Sequence, residues 1–237
     1  ALEAARASTR FGAAGTSAEA TQQLADTIAE AALGMPAPQW LALGTPDSLA
    51  AWAQAGTTAS ARFVAQMTAQ DAAWRGTRAA TALLPAHGHQ SWVGDIAAAA
   101  AADPAFARQP LWRGQPAESG ALARRQHDAL IQALQRGGVS ALPARFVARL
   151  QELALLLTGR LQPELGALTL PDGSGLAWVE NARGLLLHQA RMDESRVAAY
   201  GIVAPTEWNF HPQGALFQTL LGAATPSPAA DKAALQR

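Results

Sequence analysis

Apolar residues recur with a helical period over the first three-quarters of the chain, and Gly and Pro interrupt that period at intervals. Thr16 to Glu19 has the Thr-x-x-Glu form of a capping box, which predicts a helix behind it that stops near Gly34 with Pro36 just beyond. Thr45–Pro46 reads as an N-cap followed by Pro at the first helical position, with an end near Gly56. A further helix is expected from about Thr58 to Trp74, stopping at Gly76. Leu84 to Gly94 is irregular. An alanine run then predicts a short helix ending before Asp103–Pro104, and Pro110 to Glu118 reads as loop. Ser119 is a candidate cap for a helix that ends at Gly137–Gly138. Pro143 opens the next, where Phe146, Leu150, Leu153 and Leu157 form an apolar stripe of the kind that docks into a core.

The period changes near Leu168. Pro171 to Gly175 is a turn cluster, and Leu176 to Glu180, Leu185 to Met192 and Arg196 to Val203 read as strands. Asp193-Glu194-Ser195 makes the last two a hairpin. A final helix is expected from Gln213 to Leu221, with a loose tail from Ala223. The fold class expected is therefore α+β: mainly α with a small antiparallel β-sheet near the C-terminus. No internal repeat or domain boundary is visible, so 1–237 reads as one domain. Its helical body covers about 1–165, its sheet region about 168–212, and its C-terminal helix and tail 213–237.

Composition narrows the chemistry. The chain has 237 residues, 49% hydrophobic and 15% charged, so a sizeable core is expected rather than disorder. Its formal net charge is zero, which offers no basic field to nucleic acid or an anionic membrane. There are no cysteines, which excludes disulfides, iron–sulfur ligation and thiol catalysis within this sequence. The alanine-rich stretch from Ile96 to Ala102 is far shorter than the roughly 20 apolar residues of a membrane span. No secretory signal is evident, and a cytoplasmic location is expected.

Candidate chemistry is sparse. His87-x-His89 has the look of a metal pair, but no Cys or carboxylate stands beside it in sequence, and a surface loop is the simpler reading. His127, among Arg124, Arg125 and Asp128, reads as part of a solvated face. Nucleophile elbow, P-loop, dinucleotide fingerprint and zinc-protease helix are all lacking. The informative stretch is Glu180-Asn181-Ala182-Arg183-Gly184, followed by Arg196 to Pro212. A strand end before Gly can aim a carboxylate and a guanidinium into one cleft, and Arg offers a planar fork of donors to anionic acceptors. Pro205-Thr206 then leaves the next strand with a fixed backbone and a hydroxyl donor. On the residues alone, a β-corner with a surface ion pair between Glu180 and Arg183, and a core Trp208, is the simpler reading.

These stretches resemble the C-terminal region of nickel–iron hydrogenase large subunits. The family pattern runs roughly E-A-P-R-G-x-L-x-H, then Y-x-x-V-x-P-T-x-W-N-x-x-P. Glu180, Arg183, Gly184, Leu186 and His188 match the first part. Tyr200, Val203, Pro205, Thr206, Trp208, Asn209 and Pro212 match the second, in order and spacing. Gly114 to Arg124 resembles the family's G-x-P-x-E-x-G-P-L-A-R, with Ala121 in place of Pro. The resemblance implies an abbreviated nickel–iron hydrogenase large-subunit-like fold. It also implies that Arg183, Pro205 and Thr206 line a site for an Fe(CN)2(CO) unit, with Leu186 in its apolar wall and Glu180 and Ala182 at the same corner. Asn181-Ala182 departs from the family's Ala-Pro and loosens that corner.

The family's nickel is held by cysteine thiolates that this sequence lacks, and soft thiolate ligation is not replaced by anything else in it. Only 55 residues lie between Arg124 and Glu180, room for two or three helices, where catalytic large subunits carry a much longer body. The chain, including Leu33 to Ala53, looks like the HupK/HoxV kind of accessory protein. That likeness implies a non-catalytic scaffold, without nickel, that transiently holds Fe(CN)2(CO) for the hydrogenase large subunit. The implied partners are a HypC-type chaperone and other Hyp maturation proteins, with no nucleic acid and no membrane. Two other readings stand beside it: a truncated or divergent catalytic large subunit, and a metal-free binding module for maturation partners.

Overall fold

The computed structural model describes residues 17–71, 81–103, 105–162 and 164–221, with the side chain of Leu221 excepted. Its first helix, α1 (Ala18–Leu33), is capped by Ser17, whose side chain accepts from the Ala20 N–H, and ends on Gly34 at φ 70°. Ser17 thus replaces the expected Thr16, which lies outside the described residues. A short α2 (Ala37–Leu41), not expected from the sequence, follows Pro36. Next comes α3 (Pro46–Ala55), with Thr45 as N-cap in a reciprocal bond with Ser48 and Gly56 left-handed at its end. Helix α4 (Ala59–Ala69) is capped by Thr58, and its expected extension to Trp74 and Gly76 falls outside the described residues. The alanine helix is α5 (Val93–Ala102). The helix expected from Ser119 to Gly137 is two: α6 (Ala121–Arg125) and α7 (Ala129–Arg136).

The central helix is α8 (Ala141–Leu157), which packs against α1, α2, α4, α6 and α7. So many neighbours can approach only over small side chains. Besides Pro143 and Glu152, its buried residues are Ala144, Val147, Ala148, Leu150 and Ala154, whereas Phe146, Leu153 and Leu157 of the expected stripe are only half-buried. This helical core also holds Leu33, Leu49, Ile131 and an edge-to-face pair, Trp40 and Trp52, with ring centroids 5.6 Å apart. Each fully buried Leu, Ile or Val in it contributes roughly 1.5–3 kcal/mol.

Two short strands, β1 (Ala82–Leu83) and β2 (Ala117–Glu118), pair in parallel. The main sheet is antiparallel with order β3-β4-β5-β6: β3 (Leu165–Thr169), β4 (Gly175–Asn181), β5 (Gly184–Asp193) and β6 (Arg196–Val203). Three of these are the expected strands. The first was not expected, so the sheet begins at Leu165 rather than near 168. In β3, Gly166 lies under Trp178, where a Cβ would come within 2.3 Å of the indole. One face of the sheet, with Leu176, Trp178, Leu185 and Leu187, joins Ile96 and Ala97 of α5 and Trp208 in a second core. The opposite face carries Leu165, Ala177, Val179, Leu186, Tyr200 and Ile202, all half-buried or exposed.

The chain closes with α9 (Pro205–Asn209) and α10 (Ala215–Leu221). Pro205 opens a one-turn helix, where its missing N–H costs nothing, rather than extending a strand. The architecture is mixed α+β, and the described residues contain no helix long and apolar enough to cross a membrane.

Candidate functional site

The β4–β5 corner is a two-residue turn. Asn181 pairs with Gly184 in the ladder, leaving Ala182 and Arg183 at the tip. The Asn181 side-chain oxygen accepts from the Arg183 N–H at 2.8 Å and holds the turn closed. Gly184 takes φ 131°, a backbone state that L side chains rarely adopt. Segment 118–120 lies directly against this corner. The Leu185 N–H donates to Ser119 Oγ at 2.7 Å. The Ser119 N–H donates to Asn209 Oδ1 at 2.9 Å, and Asn209 Nδ2 donates to the Arg183 carbonyl at 3.0 Å. Space is tight: a Cβ on Gly184 would lie 2.3 Å from Ser119 Oγ, and one on Gly120 would lie 3.0 Å from the Arg183 carbonyl oxygen. Ser119 is therefore a clamp across segments rather than the helix cap expected, and Gly120 precedes α6 instead.

A cavity of about 430 Å³ opens beside this junction. Arg183 and Thr206 both line it, as do Asn209 and, from α8, Arg145 and Arg149. Leu122, Leu142 and Leu216 give it an apolar wall. Arg145 holds Glu118 with a two-pronged contact, donating from Nε at 2.7 Å and Nη2 at 2.8 Å to the two carboxylate oxygens. The side chains of Arg149 and Arg183 pair with no carboxylate among the described residues, and the Thr206 hydroxyl makes no hydrogen bond there. Three guanidinium groups thus face the cavity against a single, already engaged carboxylate. Such a lining suits anions and offers hydrogen-bond donors; among its described residues no nucleophile stands beside a base.

Glu180 takes no part in this lining. It is 6% exposed, with one oxygen 3.0 Å from His89 Nε2 and the other engaged by Arg124. Arg124 also donates from Nε at 2.6 Å and from Nη2 at 2.7 Å to Glu152 of α8. On the far side, Glu164 lies 2.7 Å from His89 Nδ1 and accepts from the His89 N–H at 3.2 Å. Burial disfavours a charge on His89. The hydrogen bonds and charges of Glu180 and Glu164 outweigh it and raise the imidazole above its ordinary value. Burial also opposes the charge on Arg124, and Glu152 and Glu180 more than compensate. This buried ionic chain joins the helical core to the sheet core.

Several sequence expectations change here. The surface ion pair between Glu180 and Arg183 is not formed, because they lie on different sides of the corner and Glu180 is engaged elsewhere. His89 is fully buried, not on a surface loop, while His87 is exposed. His127 is exposed, in the turn after α6, but Arg124 beside it is largely buried. Of the expected site residues, Arg183 and Thr206 share the cavity. Pro205 is buried at the first position of α9, Ala182 is exposed at the turn, and Leu186 is half-buried on the outer sheet face beside Val179; none of the three lines the cavity. The reading missed Arg145, Arg149 and Glu118. Arg145, Arg149 and Glu152 stand at i, i+4 and i+7, one stripe of α8, and that spacing was the available signal.

No family model matches the chain. Curated proteins named as hydrogenase expression/formation proteins do. HoxV of Cupriavidus necator is 35% identical over 164 residues, covering 63% of this chain and 41% of the relative. HupK of Bradyrhizobium diazoefficiens is 41% identical over 138 residues, covering 54% of this chain and 37% of the relative. HupK of Rhizobium leguminosarum bv. viciae is 39% identical over 137 residues, covering 55% and 36%. The chain is similar to HupK/HoxV proteins over more than half its length and spans about two-fifths of the length of these relatives.

Proposed function

We propose that this relative of the hydrogenase expression/formation proteins is a non-catalytic scaffold that holds an Fe(CN)2(CO) unit as cargo and passes it to a hydrogenase large subunit. One observation carries the reading: Arg183 and Thr206, from motifs apart in sequence, line one cavity beside a corner locked by Ser119, Gly184 and Asn209. Cyanide nitrogen is a negatively polarised acceptor, and an unpaired guanidinium and hydroxyl beside an apolar wall suit it. The fold is then an abbreviated large-subunit fold, and the nickel-binding thiolates are absent from this sequence. Its partners on this reading are a HypC-type chaperone, other Hyp maturation proteins and the large subunit itself, met in the cytoplasm. The apolar outer face of the sheet favours, as a second reading, a metal-free module that only binds maturation partners.

The test is anaerobic purification after co-expression with the maturation proteins, followed by infrared spectroscopy. CN and CO stretches at one iron per chain are expected, together with no nickel. Arg183→Ala should lose those bands while melting within a few degrees of wild type, since an exposed cleft Arg contributes little to stability. Unchanged band intensity in that variant removes Arg183 from the site. Absence of bands in the wild-type complex leaves the metal-free module.

A further inference from the structure

We infer that Arg149 of α8 is a second anion-contacting residue of the cleft, acting with Arg183 on one ligand that presents at least two separated negative acceptors. The inference rests on the cleft reading above. The stripe Arg145, Arg149, Glu152 carries an ionic partner at each end. Arg145 is committed to Glu118, and Glu152 to Arg124. Arg149 alone on that stripe has no carboxylate among the described residues, yet it lines the cavity with Arg183. Arg145 lies one helical turn away, so two guanidinium groups of α8 line the same side of the cavity.

A guanidinium that served only structure would sit against a carboxylate, as Arg124 and Arg145 do. Arg149 is exposed and has no such partner among the described residues, yet it lines the same cavity as Leu122, Leu142 and Leu216. A bound anion would relieve the surplus positive charge and occupy both free forks together. A single acceptor at Arg183 would leave the α8 cation to solvent. The cavity volume is within the range of small-ligand sites, and the apolar wall accommodates an uncharged part of the same ligand. A compact metal complex with cyanide on more than one side has this chemistry.

The probe is hexacyanoferrate(II), titrated calorimetrically into the full chain in dilute chloride buffer, with inorganic phosphate as the comparison anion. Wild type should bind hexacyanoferrate(II) more tightly than phosphate. Arg149→Gln and Arg183→Gln should each weaken it at least tenfold, and the double variant by roughly the product. Arg149→Lys should recover part of the loss, because it keeps the charge without the fork. Arg136→Gln, an exposed cation at the end of α7, should leave binding unchanged. Wild-type affinity in Arg149→Gln alongside a loss in Arg183→Gln overturns the inference and leaves the cleft reading intact. Wild-type affinity in Arg183→Gln, or phosphate bound as tightly as hexacyanoferrate(II), removes the cleft reading itself.

Discussion

Arg124 is the side chain whose loss should cost this fold most. It bridges Glu152 of the central helix and Glu180 of the sheet, and the side chains are 11%, 9% and 5% exposed. In Arg124→Met, packing of the aliphatic stem is kept while two carboxylates lose their shared cation. Leaving a buried charge uncompensated costs about 3–5 kcal/mol. For a chain of this length, each kcal/mol moves the melting temperature by about 2–4 °C, so a loss of roughly 6–20 °C is expected. Equilibrium urea unfolding followed by far-UV circular dichroism measures the change directly. Adding Glu152→Gln and Glu180→Gln to Arg124→Met should recover much of the loss, because the damage comes from the orphaned charges and not from lost volume. A loss below 1 kcal/mol in Arg124→Met, or no recovery in the triple variant, would refute the assignment of this network as the tie between the cores.

Three more outcomes follow from geometry. Gly184→Ala should lower the melting temperature by several degrees and abolish hexacyanoferrate(II) binding, since its Cβ would collide with Ser119 Oγ at φ 131°; Ser119→Gly in the same background should restore part of the stability. Stability should fall as pH rises above about 6.5 towards the raised value of His89, because the folded state holds that proton more tightly than the unfolded chain. His89→Gln should flatten that slope in urea titrations at stepped pH. His211, whose imidazole burial pushes below its ordinary value, contributes in the opposite sense and in a separate window, losing its contribution as pH falls below about 6.5; His211→Gln should flatten only the acid side.

Much of the local structure was legible in the sequence because it is local. Thr45, Pro46 and Gly56 specify their helix through cap chemistry that involves near neighbours only, and the strand from Arg196 to Val203 is bounded by a turn cluster and a Pro. β3 was missed because its second residue is Gly166, kept free of a side chain by an indole that pairs across the sheet, which no window of neighbouring residues reveals. His89 read as a loop residue for a related reason: its partners lie 75 and 91 positions away. Arg183 and Thr206 were identified through motif resemblance. Their cavity partners on α8 were open to discovery by spacing, but the apolar residues between them drew the helix into a purely structural reading.

The bare outer face of the sheet has a practical consequence for any salt titration of this protein. Chloride screens the guanidinium groups of the cleft and should loosen whatever they hold. Sulfate and phosphate do that too, but they are also excluded from apolar surface and so drive faces such as that of Leu165, Leu186, Tyr200 and Ile202 towards one another. Ammonium sulfate fractionation would therefore strip an anionic cargo and clump the empty chains in the same step. A preparation that arrives without iron and elutes early on gel filtration would report the handling, not the molecule.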